Sequence, residues 1–156
     1  MRTILKLHRS LVAEFPAPIT SAEISTFSPA DSDEWLALNN KIFVAHPDQG
    51  DWVMQDLTNR MKESWFDADG FFLARESGKI VGFCWTKIHQ DRVNEGAIGE
   101  IYVLGVNPSA HSSGLGKALT LKALRYFQSK EIKESMLYVD ADNHAALILY
   151  KKLGFN

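Results

Sequence analysis

The sequence of 156 residues contains a single cysteine, no excess of basic residues and no long apolar run. One cysteine, Cys84, excludes a disulfide within the chain and C-x-x-C metal spacing. Lys and Arg number 17 against 19 Asp and Glu, a net charge of −2, which gives no basic face for nucleic acid and argues against an anionic membrane surface. No apolar run approaches a membrane span, and residues 1–12 lack the apolar core of a signal peptide. We expect a reduced, cytoplasmic protein that binds neither nucleic acid nor membrane, with Cys84 buried and unreactive.

What is present is typical of one globular domain, with 46% hydrophobic and 23% charged residues and no internal repeat. Apolar periodicity and turn residues predict the order β-(β)-α-α-β-β-β-α-β-α, an α/β domain on a mixed central sheet. The predicted strands are 3–12, 19–27, 71–74, 80–89, 100–106 and 136–139, and the predicted helices are 28–43, 51–61, 115–128 and 143–153, with loops at 46–50 and 90–98. Residues 77–79 are the predicted hairpin turn, and Gly154 the predicted cap of the last helix.

The turn between the fifth strand and the third helix carries two glycines, two serines and a lysine. Gly114 and Gly116 let the backbone approach a ligand closely, and the free amides and dipole at a helix start suit a phosphate. A Walker A loop would need glycine at position 111 and Ser or Thr at 118, where the chain has His111 and an alanine. A dinucleotide fingerprint would need a third glycine, where the chain has Leu119. These residues alone indicate either a pyrophosphate site or an ordinary glycine-containing loop.

The pattern x-x-Gly-x-Gly after an apolar strand and a proline resembles the acyl-CoA signature of the GNAT superfamily of N-acetyltransferases, although His111 stands where that superfamily usually has Gln or Arg. Residues 143–155, with Asn, Ala, Tyr and a closing Gly-Phe, resemble that superfamily's last helix. The resemblance implies a GNAT fold, acetyl-CoA as co-substrate, no metal, and a small-molecule amine as acceptor. By this match the cofactor-binding positions are Leu104, Gly105, Val106, His111, Ser112, Ser113, Gly114, Leu115, Gly116, Lys117, Asn143, His144, Ala145, Ala146, Leu147 and Ile148.

A narrower resemblance covers about residues 19–155 and concerns the second, C-terminal domain of the mycothiol synthase family. The segments that carry it are 46–50, 65–67, 82–87, 99–106 and 137–143. Members of that family acetylate the cysteinyl amine of a glucosaminyl-inositol conjugate in mycothiol biosynthesis, and the resemblance implies the same reaction here. Two alternatives stay open, namely a GNAT enzyme for another small amine, and a catalytically idle acyl-CoA-binding half-domain.

Attack of an amine on a thioester needs a neutral amine, a stabilised oxyanion and a protonated leaving thiolate. The resemblance gives the role of base to Glu100 and that of proton donor to Tyr150, on a predicted helix face shared by positions 143, 147, 150 and 154. The plainer interpretations are a solvated strand-end glutamate and a tyrosine packed at the helix edge. A bulge at Leu104–Val106, made easy by Gly105, would free an amide for the thioester oxygen, against the alternative of a plain core strand.

Four positions carry the implied contacts to the amine substrate. They are Asp48, Lys87, Glu100 and Tyr138. Without the resemblance, Asp48 and Lys87 would be interpreted as solvated surface charges. His46 and His89 could be mistaken for a metal-binding pair, but nothing in the sequence supports a metal.

The domain organisation implied by the resemblance is incomplete, because mycothiol synthase is a tandem of two such domains. Residues 1–18 are interpreted as a strand and linker that resemble the tail of a preceding domain, and 19–156 as the GNAT domain, with its C-terminal strands missing. An open sheet edge invites strand addition. We therefore expect residues 3–11 to pair with that edge, within the chain or from a second copy in a homodimer.

Overall fold

A computed structural model describes residues 2–46, 48–90 and 95–156, and within these ranges the chain forms a six-stranded sheet with two helices against each face. The elements are β1 (Ile4–Ser10), β2 (Glu23–Thr26), α1 (Ser32–Ile42), α2 (Met54–Met61), β3 (Phe71–Glu76), β4 (Lys79–His89), β5 (Ile98–Val106), α3 (Leu115–Ser129), β6 (Glu134–Asp140) and α4 (His144–Lys152). The predicted order of elements is confirmed. Position 1, one residue of the predicted loop 46–50 and residues 91–94 of the predicted loop 90–98 lie outside the described residues.

The strands are ordered β1-β6-β5-β4-β3-β2, and neighbours are antiparallel except β5 and β6. That parallel pair is joined through α3, as a parallel connection requires. The tight turn between β3 and β4 has φ of 51° at Ser77 and 81° at Gly78, which suits the twist of an antiparallel hairpin. The predicted hairpin at 77–79 is therefore confirmed.

Two apolar cores lie on the two faces of the sheet. The α3 and α4 side is mostly aliphatic, with Leu119 and Leu124 fully buried. The α1 and α2 side is aromatic, and there the Trp35 ring meets that of Trp85 edge-on at 5.5 Å. Cys84 is completely buried on the α3 and α4 side, and burial raises the pKa of its thiol to about 12. The expected burial of Cys84 is confirmed, and its lack of reactivity stays a prediction.

Strand β1 completes the sheet from within the chain. All seven of its residues pair antiparallel with β6, and Leu7 and Leu11 enter the aliphatic core. On its other edge, the backbone of His8 exchanges hydrogen bonds of 2.8 and 2.9 Å with Asn156. The expected pairing of residues 3–11 is confirmed in its intrachain form, whereas the division of the chain at residue 18 stays a prediction. None of the described helices is long and apolar enough to cross a membrane.

Candidate active site

The two parallel strands separate soon after they pair. β5 and β6 are in register only from Gly99 to Ile101, and β6 then continues alongside β1. In the described part of the chain, the β6-facing backbone edge of residues 102–106 therefore has no strand partner. Backbone N–H and C=O groups on such an edge are available to an extended ligand.

A β-bulge marks the point of separation. Two successive residues of β4, Trp85 and Thr86, oppose three residues of β5, 101–103. The extra residue places Tyr102 and Val103 together against the aromatic core, while the residues on either side of them face the aliphatic core. The bulge thus changes which face the second half of β5 presents.

The predicted position of the bulge is wrong. Leu104–Val106 pair regularly with β4, and the irregularity lies at residues 101–103 instead. Gly105 is explained by packing, because a Cβ there would stand 2.9 Å from the Phe83 ring and 3.3 Å from Ile42. A tight aromatic contact, and not backbone irregularity, requires the glycine.

A cleft of about 290 Å³ opens between the diverging strands. One wall is β5, the other is the end of β6, and α4 closes one side. The lining includes Tyr102, Val103, Leu104, Tyr138, Val139, Asp140, Asn143, Ala146 and Tyr150, with Arg2 and residues of the α1–α2 loop at the mouth.

Tyr150 combines burial with access to this cleft. It is only 7% exposed, its ring packs edge-on against Phe155 at 5.9 Å, and it also lines the cleft. Burial raises the pKa of the Tyr150 hydroxyl well above its usual value, with a further contribution from the neighbouring Cys84. The hydroxyl therefore stays protonated at neutral pH, as a proton donor must.

The face that α4 turns toward the cleft differs from the predicted one. Asn143, Ala146 and Tyr150 line the cleft, but Leu147 packs against the aliphatic core. A Cβ on Gly154 would meet the Arg9 guanidinium, so this predicted member of the face lies against β1. Its predicted role as the helix cap is confirmed, with φ of 88° and its amide bonded to the carbonyl of residue 151 at 3.0 Å.

The start of α4 is capped by Asn143, whose side-chain oxygen accepts a hydrogen bond from the Ala146 amide at 3.2 Å. His144, Ala145 and Ile148 are exposed, the last at 56%. These three face solvent beside the cleft, and their roles in cofactor binding stay predictions.

The glycine-containing turn leads from β5 directly into α3. Gly114 has φ of 68°, which is left-handed, and a Cβ on it would meet nothing within 4 Å. Gly116 faces α4, where a Cβ would lie 3.3 Å from Leu149. The first-turn amides of residues 115–117 have no partner inside the helix, and those of Ser113 and Gly114 donate to no other described residue. Several donors of the turn thus remain available to an anion.

Two other amides of the turn are already engaged. The Glu76 carboxylate accepts hydrogen bonds from the amides of His111 (2.9 Å) and Ser112 (2.6 Å), and from the Ser112 hydroxyl. These bonds hold the pKa of Glu76 below its usual value. The His111 amide is thus engaged within the chain, and the role of His111 in cofactor binding stays a prediction. Sequence reasoning missed Glu76, which is 35 residues distant from His111 and carries no local signal.

Glu100 is buried, with only 8% of the residue exposed, so the interpretation as a solvated strand-end glutamate is wrong. Its Oε1 lies 2.7 Å from Nε2 of His89, on the neighbouring strand β4. The sequence had singled out His89 only as half of a false metal pair. The signal for the contact was the β4–β5 hairpin, which brings positions near 88 opposite positions near 99.

Lys87 lies opposite Glu100 in the ladder but is turned toward aromatic rings. Its Nζ is 4.7 Å from the Trp65 ring centre and 5.6 Å from that of Tyr102. It lines a second cavity of about 650 Å³ together with Trp65, Asp67 and His89. Asp48 and Tyr138 line the cleft instead, so the structure does not bring the four predicted substrate residues into one cavity.

Asp48 is held at the mouth of the cleft by the first described residue of the chain. The Arg2 guanidinium bridges Asp48 at 2.9 Å and Asp140 at 2.7 Å. Nε2 of His46 lies 3.5 Å from the same Asp140. The Asp48 side chain is 72% exposed, and sequence reasoning missed Arg2 as its partner.

Comparison with known proteins gives consistent matches. The sequence pattern of the acetyltransferase (GNAT) family matches residues 23–155. The chain is 47% identical to mycothiol acetyltransferase of Acidothermus cellulolyticus and 48% identical to that of Salinispora tropica. Each alignment covers 99% of this chain but only 51% and 52% of the relative, so the chain spans about half the length of the curated relatives it matches.

The solved structures agree at the level of the fold. A GCN5-related N-acetyltransferase from Sphaerobacter thermophilus superposes with a TM-score of 0.77 at 24% identity, over 99% of this chain and 48% of that one. An aminoglycoside N-acetyltransferase in complex with CoA gives a TM-score of 0.70 at 20% identity, over 91% of this chain and 92% of that one.

Proposed function

The chain belongs to the acetyltransferase (GNAT) family, and on that premise we propose that it transfers the acetyl group of acetyl-CoA to an amine. The acceptor that we propose is the cysteinyl amine of a glucosaminyl-inositol conjugate, as in mycothiol biosynthesis. The names of the relatives at 47% and 48% identity support this acceptor. The observation that carries the proposal is the cleft between β5 and β6, one wall of which is the strand that carries the buried Glu100 and leads into a turn with free amides.

The residues around the cleft fit acetyl-CoA. Donors at Ser113–Lys117 suit the pyrophosphate, and the unpaired edge of residues 102–106 suits the amide-containing pantetheine arm. The open space above Gly114 leaves room for a ligand, since a Cβ there would touch nothing. Acetyl-CoA supplies the activated acetyl thioester.

Glu100 and Tyr150 lie on opposite faces of the sheet, on either side of the gap. Glu100 shares the α1 and α2 side with Lys87, whereas Tyr150 belongs to the aliphatic core on the α3 and α4 side. We assign to Glu100 the acceptance of the ammonium proton, at a carboxylate oxygen, and to Tyr150 the donation of its hydroxyl proton to the leaving sulfur. Each such proton transfer contributes about 10²–10⁴-fold to the rate.

One observation favours a second candidate function. The predicted acceptor residues lie apart, because Lys87 lines one cavity whereas Asp48 and Tyr138 line another. An acyl-CoA-binding domain without turnover would fit that separation.

Titration with acetyl-CoA, followed by measurement of CoA release, separates the candidates. We expect saturable binding, and CoA release that depends on cysteinyl-glucosaminyl-inositol. Binding without release under any amine would establish the idle domain. Release with other amines, but not with the cysteinyl conjugate, would retain the acetyltransferase and reject the proposed acceptor.

A further inference from the structure

The buried carboxylate of Glu100 has one hydrogen-bonding neighbour in the described part of the chain, the imidazole of His89. The Glu100 side chain is 10% exposed, whereas that of His89 is 29% exposed and lines the larger cavity. A carboxylate removed from water needs a compensating donor. His89 supplies one, and connects the carboxylate with the cavity that His89 lines.

Among the described residues around Glu100, the neighbouring charged groups are engaged elsewhere. Lys87, on the same strand, stacks its ammonium over Trp65 and Tyr102 and makes no ion pair with Glu100 within 4 Å. From β6, the residue in register with Glu100 is Met136, which is apolar and buried. From the segment after α2, Asp67 lines the cavity beside His89, but its oxygens accept from the Asp69 amide and the Tyr126 hydroxyl.

We propose that His89 is the positioning residue of Glu100, an inference that rests on the proposed function. An ionised carboxylate only accepts hydrogen bonds, so we assign the ring hydrogen to Nε2 of His89, which donates a hydrogen bond to Oε1 of Glu100. That bond fixes the carboxylate and leaves Oε2 to take the proton of the amine.

The geometry also predicts which substitution preserves the role. A side chain that donates a hydrogen bond from the same place would keep the Glu100 carboxylate oriented. Glutamine is such a side chain, since its amide nitrogen reaches about as far as Nε2.

Steady-state CoA release tests the proposal with His89→Ala and His89→Gln. We expect His89→Ala to lower kcat about 10- to 100-fold, a part of what a general base supplies, with KM for acetyl-CoA unchanged. His89→Gln should recover most of kcat. His8→Gln is the matched control, because His8 lies exposed on the same side of the sheet, two strands from Glu100, and should change neither kcat nor KM. Equal losses of kcat in the alanine and glutamine variants would overturn the assignment.

A spectroscopic readout separates this inference from the proposed function. The ¹⁵N resonances of the His89 ring should shift in Glu100→Gln and stay in place in Glu23→Gln, on the far edge strand β2. If the His89 ring resonances do not shift in Glu100→Gln, the pairing of His89 with Glu100 is overturned, whatever the activity of that variant. A wild-type protein that releases CoA with no amine would overturn the proposed function instead.

Discussion

Replacement of Tyr150 by phenylalanine removes one hydroxyl from the cleft and nothing else. The ring keeps its edge contact with Phe155 and its place in the aliphatic core. In the described part of the chain the Tyr150 hydroxyl has no hydrogen-bond partner, so its removal leaves no other buried polar group unpaired. The free energy of unfolding should therefore change by less than about 1 kcal/mol, against about 3–5 kcal/mol for Tyr150→Ala, which empties the site of the ring.

Catalysis should respond very differently from stability. If Tyr150 protonates the leaving sulfur, Tyr150→Phe lowers kcat by about 10²–10⁴-fold, which is about 3–5 kcal/mol in the barrier. The assay is CoA release at saturating acetyl-CoA, with cofactor affinity from calorimetry, which should stay within about twofold of wild type. Tyr138→Phe is the comparison variant, because Tyr138 is 53% exposed and is assigned to acceptor binding, so its effect should fall on KM for the amine. A normal kcat in Tyr150→Phe, or a large loss of cofactor affinity, would refute the role.

The same residue has a consequence for stability at alkaline pH. Burial raises the pKa of Tyr150, and that of Cys84 to about 12, whereas the unfolded chain titrates these groups near about 10 and 8.5. Above those values the unfolded state loses protons that the folded state still holds, so the free energy of unfolding falls as pH rises. The contribution is complete below about pH 8 and declines from there. In thermal unfolding, Tyr150→Phe should lose less stability than wild type between about pH 10 and 12.

Three further predictions follow from named contacts. Gly114→Ala forces an alanine to φ of 68°, at a cost of about 1–2 kcal/mol. It should weaken acetyl-CoA binding about 5- to 30-fold in calorimetry, and an unchanged affinity would contradict this role of the turn. Gly99→Ala places a Cβ 2.6 Å from the Phe127 ring and should lower the free energy of unfolding by about 1–3 kcal/mol, so a Tm equal to wild type would contradict the packing. Cys84 should react with a thiol reagent only after denaturation, and stoichiometric labelling of the native protein would show that it is accessible.

Local chemistry explains why so much of the fold was predictable. The helices and strands were predicted from the period at which apolar residues recur along the chain. The turns were predicted from residues that suit positive φ, as at Gly78, Gly114 and Gly154. A run of apolar residues in β4 predicted that this strand is buried, and Cys84 lies within that run. The position of Tyr150 beside the cleft followed from the helix and its spacing from Asn143.

Contacts across the sheet explain what was missed. The bulge at residues 101–103 depends on how β5 packs against both cores, so the glycine at 105 was a misleading local cue. The partner of Glu76 is 35 residues away, and nothing in the spacing marks it, whereas the partner of His89 is 11 residues away and is indicated only by the register of the β4–β5 hairpin. Pairing register and side-chain reach decide such contacts, and both arise only once the strands have aligned.

The cleft owes its second wall to the segment that the sequence assigned to a different domain. Of the seven residues of β6, only 135–137 pair with β5, so 138–140 would have no strand partner if residues 19–156 stood alone. β1 pairs with all seven, and thereby keeps the end of β6 extended while β5 turns away from it. Arg2 then ties that end to the α1–α2 loop through Asp140 and Asp48. Whatever the origin of residues 2–10, the pairing of β1 with the far edge of β6 holds that strand extended beyond the point where it separates from β5, and so keeps the second wall of the cleft in place.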